Sequence, residues 1–320
     1  MLKSIWCGLF LFSLSVMSQD LPPKPLPADK VSELAISVNV QLVALDISVQ
    51  DEKGGYASGL SKDDFRVYDN GKLHPIKYFS HADLPVTVGL VIDNSGSMGP
   101  KRAEVVTAAL TFVHASNPQD EIFVVNFNDK VRSGLPVDVQ FTDDIPTLRR
   151  ALWSGPSEGR TSLHDALAYG LKYLNNGKME RKTLVVVSDG GDNASLLSSS
   201  EVLRRVEESF ATIYTIGIFD ETDSDRNPRF LRKLAQVSGG KYFQLPVLRD
   251  VVPVCRKIAS EIRSRYTIAY CPESTDPQHA THVIKVVASA PSRQRLTVHH
   301  RSRYIMPDTN TSVKRKEVGR

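Results

Sequence analysis

An α/β class is predicted: a doubly wound, mostly parallel sheet inserted in a small β-sandwich built from N- and C-terminal strands. Three observations predict it. Residues 86–92 form a short run rich in β-branched side chains, the pattern of a strand buried on both faces. Thr183, Leu184, Val185, Val186 and Val187 make a second such run, and both runs end at an aspartate (Asp93, Asp189) followed by glycine-containing loops. Between 83 and 264 apolar runs alternate with helix-period stretches, whereas 36–82 and 265–305 alternate at period two without helical stretches.

In order, Ile36, Val38, Val40 and Leu42 alternate, then Val43, Leu45, Ile47 and Val49 continue on shifted phase. That predicts one long strand with a bulge, or two short ones. Asn70-Gly71 between alternating segments predicts a hairpin, since both residues tolerate positive φ. A helix is predicted over 101–116, with Val105, Ala108, Ala109, Phe112 and Val113 on one face, then a strand over 121–127. Helices follow at 144–153 and 162–175, a strand at 183–188 and a helix at 199–210. A strand at 212–219, a helix at 228–238 capped by Gly239-Gly240, a strand at 241–245 and a helix at 248–263 complete the α/β part. Strands at 266–270, 283–288 and 296–304 are expected to pack with 36–82, because neither group alone has enough strands for stability.

The expected organisation is an export signal at 1–18, a proline-rich spacer at 19–35, the two sandwich portions at 36–82 and 265–305 around an α/β domain at 83–264, and a basic tail at 306–320. Lys3, an apolar run from Ile5 to Met17 and a polar exit give the signal, the run being too short to span a bilayer comfortably. The protein is therefore expected to be exported, periplasmic or secreted, with no stable membrane span after cleavage. The formal charge is +4. From Pro291 onward eight basic residues face Asp308 and Glu317, so the body of the chain is not basic and nucleic-acid binding is not expected.

Asp93, Ser95 and Ser97 alternate directly after the first buried run, with Gly96 and Gly99 letting the loop curl. Their oxygens can turn toward one point at the carboxyl end of a strand, where open α/β sheets place ligands. An all-oxygen set suits a hard cation. Thr161 lies near the start of the 162–175 helix in a Gly-Arg-Thr-Ser-Leu context, and Asp189 ends the second run.

Asp-x-Ser-x-Ser, a distant Thr in that context and a distant Asp after an apolar strand resemble the metal-ion-dependent adhesion site of von Willebrand factor type A (VWA) domains. Val49-Gln-Asp-Glu-Lys-Gly-Gly, Leu60-Ser-Lys-Asp-Asp-Phe-Arg-Val-Tyr-Asp-Asn-Gly and Leu234-Ala-Gln-Val-Ser-Gly-Gly resemble the VWA-related domain proteins of exported bacterial type. The resemblance implies a Rossmann-like fold. It also implies Asp93, Ser95, Ser97, Thr161 and Asp189 as direct or water-mediated ligands of a divalent cation, Mg²⁺ first, with Mn²⁺ or Ca²⁺ as alternatives. A protein partner would offer an Asp or Glu carboxylate to that metal. With this order of elements, Cys255 and Cys271 are expected to bridge, a helix and a following antiparallel strand bringing the sulfurs to similar heights; two buried thiols are the other reading.

The expectation is thus a binding module and not an enzyme. Its rivals are a metal-dependent hydrolase, for which His164 and Asp165 are the nearest acid-base groups, and a structural envelope protein with a vestigial site. Asp192 and Asn193 are expected at the rim of the site or in a turn. The acidic stretch 220–225 lacks the glycine and terminal glutamate of an EF-hand loop and is expected to be a solvated loop. His299 and His300 are expected on opposite faces of a strand, a poor metal pair.

Overall fold

The structure, a computed structural model, describes residues 42–219, 225–273, 281–290 and 295–306. The expected signal, spacer, strand start at 36–41, most of the acidic stretch and the basic tail lie outside the described residues.

Strands β1 (Val43–Gln50), β2 (Phe65–Asp69), β3 (Lys72–His74) and β4 (Ile76–Ser80) come first. Between β2 and β3, Asn70 and Gly71 both take positive φ, 49° and 81°, and form the expected hairpin turn. The α/β part then runs β5 (Val86–Asp93), α1 (Arg102–Ala115), β6 (Glu121–Phe127), β7 (Val131–Ser133), α2 (Ile145–Leu152), α3 (Leu163–Leu174), β8 (Arg181–Ser188), α4 (Ser199–Glu208), β9 (Thr212–Gly217), α5 (Pro228–Ser238), β10 (Tyr242–Gln244) and α6 (Val251–Arg263). Strands β11 (Tyr266–Tyr270), β12 (Thr281–Ala288), β13 (Thr297–His299) and β14 (Arg303–Ile305) follow.

The central sheet has the order β10-β9-β8-β5-β6-β7. Every pairing in it is parallel except β6 with β7. All eight residues of β5 are buried, as its unbroken apolar run requires of a strand covered on both faces. Chain order departs from β5 first toward β6 and later toward β8. Right-handed crossovers then put α1 on one face and α3, α4 and α5 on the other. Helix α1 packs between α2 and α6, while α3 and α5 lie against α4. The reversal leaves a crevice between the carboxyl ends of β5 and β8, the usual ligand position in such sheets.

Strands from the two ends of the chain interleave into two antiparallel sheets, β13-β1-β11-β4 and β14-β12-β2-β3. Their facing side chains, among them Val43, Leu45, Ile47, Phe65, Val67, Tyr266, Ile268 and Val286, form a second core separate from that of the α/β part. The two parts join at the amino ends of the parallel strands. Arg265, between α6 and β11, donates to Asp46 O (3.1 Å), Gly239 O (2.7 Å) and Tyr214 Oη (3.0 Å). Glu261 on α6 pairs with Lys241 (2.7 Å) and accepts from Tyr56 Oη (3.1 Å). Arg181, first residue of β8, pairs with Asp46 of β1 (3.3 Å).

Two expectations are corrected. Cys255 and Cys271 are both free. Cys255 is buried in the α/β core, whereas β11 carries Cys271 away from α6 into the sandwich, where its carbonyl meets His74 Nδ1 at 3.1 Å. The strand therefore does not return along the helix. The single strand expected over 296–304 is two short ones, because Arg301 turns inward and donates to Ser209 O (2.6 Å).

Candidate metal centre

Asp93 closes β5, and the backbone leaves the sheet at once, Asn94 N donating to Phe127 O on β6 (2.7 Å). Asp93 Oδ1 accepts from Ser95 N (2.8 Å) and Oδ2 from Ser188 Oγ (2.7 Å). Ser95 and Ser97 hydroxyls lie 3.2 Å apart, and Ser97 Oγ donates to Asp189 Oδ2 (2.7 Å). Asp189 Oδ1 in turn accepts from Gly191 N (3.0 Å). Four of the five predicted residues thus form one continuous hydrogen-bonded arc across the crevice between β5 and β8.

Thr161 immediately precedes Ser162, the residue at the N-cap of α3. Its loop abuts the first one, with Gly96 N donating to Gly159 O (3.2 Å). Gly159 sits at φ +82°, the left-handed region that favours glycine in this turn. The loop after β8 holds Thr161 from the other side. Thr161 N donates to Asn193 Oδ1 (2.9 Å), and Asn193 N and Ala194 N donate to Thr161 O (both 3.0 Å). The three loops carrying the five residues are therefore bonded to one another.

The same loop is stitched to the first turn of α3. Asp192 Oδ2 accepts from His164 N (2.8 Å) and Ser195 Oγ (2.6 Å). Asp165 accepts from Leu196 N (2.9 Å) and Leu197 N (3.0 Å). Both carboxylates are committed to backbone donors, which orients the loop. His164 Nδ1 meets Leu197 O (3.1 Å), and its ring stands edge-on to Phe230.

Asp93 and Asp189 are each only 2% exposed. Burial, and then the facing Asp189 carboxylate, push the Asp93 carboxyl up to about 7; the hydrogen bonds from Ser188 and Ser95 oppose this. Two neighbouring buried carboxylates joined through the Ser95 and Ser97 hydroxyls, with no basic side chain hydrogen-bonded to Asp93 among the described residues, are a donor set that a divalent cation fits. Among the described residues no three His, Cys, Asp or Glu side chains converge as a metal cage. The set is an all-oxygen one of carboxylates and hydroxyls, which suits a divalent cation.

Ser188 was not singled out from the sequence. A serine ending an apolar strand carries no signal of its own, and only the parallel β5–β8 pairing puts its hydroxyl on Asp93. Asn94 and Arg102 were also passed over. Asn94 Nδ2 reaches Ser154 O (3.3 Å), and Arg102 donates to Gly155 O (2.8 Å) and Ser157 Oγ (3.0 Å), fixing the 153–159 loop beside the site.

The family model of the von Willebrand factor type A domain matches residues 87–253, just over half of the chain. Inter-alpha-trypsin inhibitor heavy chain H2 of Mesocricetus auratus is 26% identical over 191 residues, 56% of this chain and 20% of that protein. An uncharacterized protein of Synechocystis sp. is 26% identical over 148 residues, 44% of this chain and 34% of that protein. The chain thus spans about a fifth and a third of the lengths of these curated relatives. Among solved structures, a von Willebrand factor type A protein from Catenulispora acidiphila superposes with a TM-score of 0.50 at 15% identity, covering 86% of this chain and 76% of that one.

Proposed function

Because the chain belongs to the von Willebrand factor type A domain family, we propose that it is an exported protein-binding module that docks a partner's Asp or Glu carboxylate at a divalent cation held by Asp93, Ser95, Ser97, Thr161 and Asp189. The observation that carries this reading is the arc from Ser188 through Asp93, Ser95 and Ser97 to Asp189. Export rests on the signal-like residues 1–18 of the sequence.

A divalent ion, Mg²⁺ by preference, would be held by the Ser95, Ser97 and Thr161 hydroxyls with the Asp93 and Asp189 carboxylates, and would supply the Lewis acidity that attracts a partner's carboxylate oxygen. The chain's own residues do the rest. Ser188 and the Ser95 amide fix the Asp93 carboxylate, so its oxygens are aimed before any ligand arrives. Asn193 and Ala194 set the position of Thr161, and the Gly191 amide sets that of Asp189. A site organised in advance loses little freedom on binding.

A hydrolase would need a base free to take a proton from water. Asp192 and Asp165, on the loop after β8 and in the first turn of α3, accept from backbone amides instead, which favours binding over catalysis. We place the α/β module at 83–264, set into the sandwich formed by 36–82 and 265–305.

Affinity capture from an envelope fraction, repeated with EDTA and with Asp93→Ala, tests the reading. The reading expects partners released by chelator and not captured by the variant, whose circular dichroism stays native. A partner retained under both conditions would overturn it.

A further inference from the structure

The outward face of the β14-β12-β2-β3 sheet can be read from its register. Val283 stands opposite Arg303, Lys285 opposite Tyr68, Val287 opposite Arg66, and Tyr68 opposite Leu73. Residues directly opposite on antiparallel strands share a face. Alternate residues of β12 are buried, from His282 to Ala288, so Val283, Lys285 and Val287 point away from the sandwich core. Leu73, Val283 and Val287 are 53%, 50% and 38% exposed. They share this surface with Arg66, Lys285 and Arg303, one cation from each of three strands. No outward position of the four strands is a carboxylate among the described residues. Arg66 is held in place by Asp63 O (2.7 Å) and Phe65 O (2.8 Å). The corresponding face of the partner sheet is covered instead: Ser48 and Ala269 are buried there, and Asp46 pairs with Arg181 of the α/β part (3.3 Å).

We propose that this cationic, aliphatic sheet face is a peripheral docking surface for an anionic lipid bilayer. Cations interleaved with exposed aliphatic side chains are the composition of interfacial binders, where shallow apolar insertion and headgroup attraction add. Exposed aliphatic side chains set among three cations call for a partner that is anionic at its surface and apolar beneath it. The charge extends along the chain. After β14, an edge strand of this sheet, the sequence adds Lys314, Arg315, Lys316 and Arg320 against Asp308 and Glu317. The sandwich joins the α/β part at the amino ends of the parallel strands, whereas the Asp93 loops lie at their carboxyl ends. Lipid docking therefore leaves the metal-site loops facing away from the junction.

The test is co-sedimentation of the full chain with vesicles of mixed phosphatidylglycerol and phosphatidylcholine, or of phosphatidylcholine alone, in EDTA so that the metal site is silent. Binding to the anionic vesicles only, weakening as salt rises, is expected. The variant Arg66→Glu/Lys285→Glu/Arg303→Glu should lose roughly a hundredfold in partitioning. Val283→Ser/Val287→Ser, with all charges kept, should also weaken it. If the triple variant fails to fold, Lys285→Gln is read instead, with roughly a fivefold loss expected. Failure of the wild-type chain to bind anionic vesicles would overturn the proposal, including the case where an acidic protein binds the face instead. Equal binding to neutral vesicles, or binding untouched by the face variants and lost only on deletion of residues 307–320, would also overturn it.

Discussion

Ser97 Oγ donates to Asp189 Oδ2 across 2.7 Å, a hydrogen bond between positions 92 residues apart in the chain. It ties the loop after β5 to the loop after β8 at the point where the sheet order reverses. Removing it separates a local role from a ligating one. Ser97 is exposed, so Ser97→Ala should cost no more than about 1 kcal/mol of stability by urea titration. Its divalent affinity by calorimetry should fall at least about tenfold, because a metal ligand is lost as well as a hydrogen bond. Unchanged affinity would remove Ser97 from the ligand set.

At Gly239 the backbone takes φ +81°, and a Cβ would fall 2.3 Å from Arg301 N. The turn after α5 and the segment between β13 and β14 thus touch through a position that has no room for a side chain. Gly239→Ala should lower the melting temperature by the left-handed penalty of about 1–2 kcal/mol and by the cost of displacing Arg301 as well. An unchanged melting temperature would mean the C-terminal segment is not docked there.

Much of this architecture is legible in the sequence because its strongest signals are local. The stretches 88–92 and 184–187 carry no polar side chain because both faces of β5 and β8 are covered there, and the Asn70-Gly71 turn announces its own φ angles. Strand β7 was not anticipated: it has three half-exposed or exposed residues and no pattern long enough to read. Contacts that depend on the docking of the two parts left no trace either. Arg265 meets Asp46 across 219 positions, and nothing near Arg265 marks it as buried. The five candidate ligands were readable because each follows a strand or opens a helix. Ser188 was not, because its role exists only through β5–β8 pairing.

Glu261 is 0% exposed and answers the charges of Lys241 (2.7 Å) and Arg265 (3.4 Å) at the junction. Those two cations, though burial opposes its charge, hold its carboxyl below the usual range. Glu261→Ala leaves two cations without their partner and should destabilise the chain by about 3–5 kcal/mol in urea denaturation. Glu261→Leu combined with Lys241→Met removes one charge of each sign and should cost less than Glu261→Ala. The reverse order would show that Lys241 is not paired with Glu261 in solution.

The β13 end should make stability acid-sensitive. Burial, and then Lys241, push His299 down to about 4, and burial also lowers His300. His300 Nε2 accepts from Val286 N (3.1 Å), so its Nδ1 carries the proton and donates to Arg301 O (2.7 Å), which requires a neutral ring. With the folded values below the ordinary histidine value, the unfolded chain takes up protons first as pH falls. The histidine contribution to stability should be full above about pH 6.5 and decline as pH falls from there toward about 4. The buried Asp93 and Asp120 carboxyls, raised to about 7 and about 6, act in the opposite direction over the same window, so the comparison with His299→Gln isolates the histidine part. Urea midpoints should show the wild-type chain losing stability relative to His299→Gln as pH falls, and a difference that does not change with pH would contradict this.

The account rests on one cation shared by side chains from three loops. Crystals of the chain soaked in Mn²⁺ and measured at its absorption edge test that most directly. An anomalous peak lying among the Ser95 and Ser97 hydroxyls, Thr161, Asp93 and Asp189 is expected, and it should vanish in Asp93→Ala. An empty cluster beside a manganese peak elsewhere, or a peak that survives the substitution, would contradict the account.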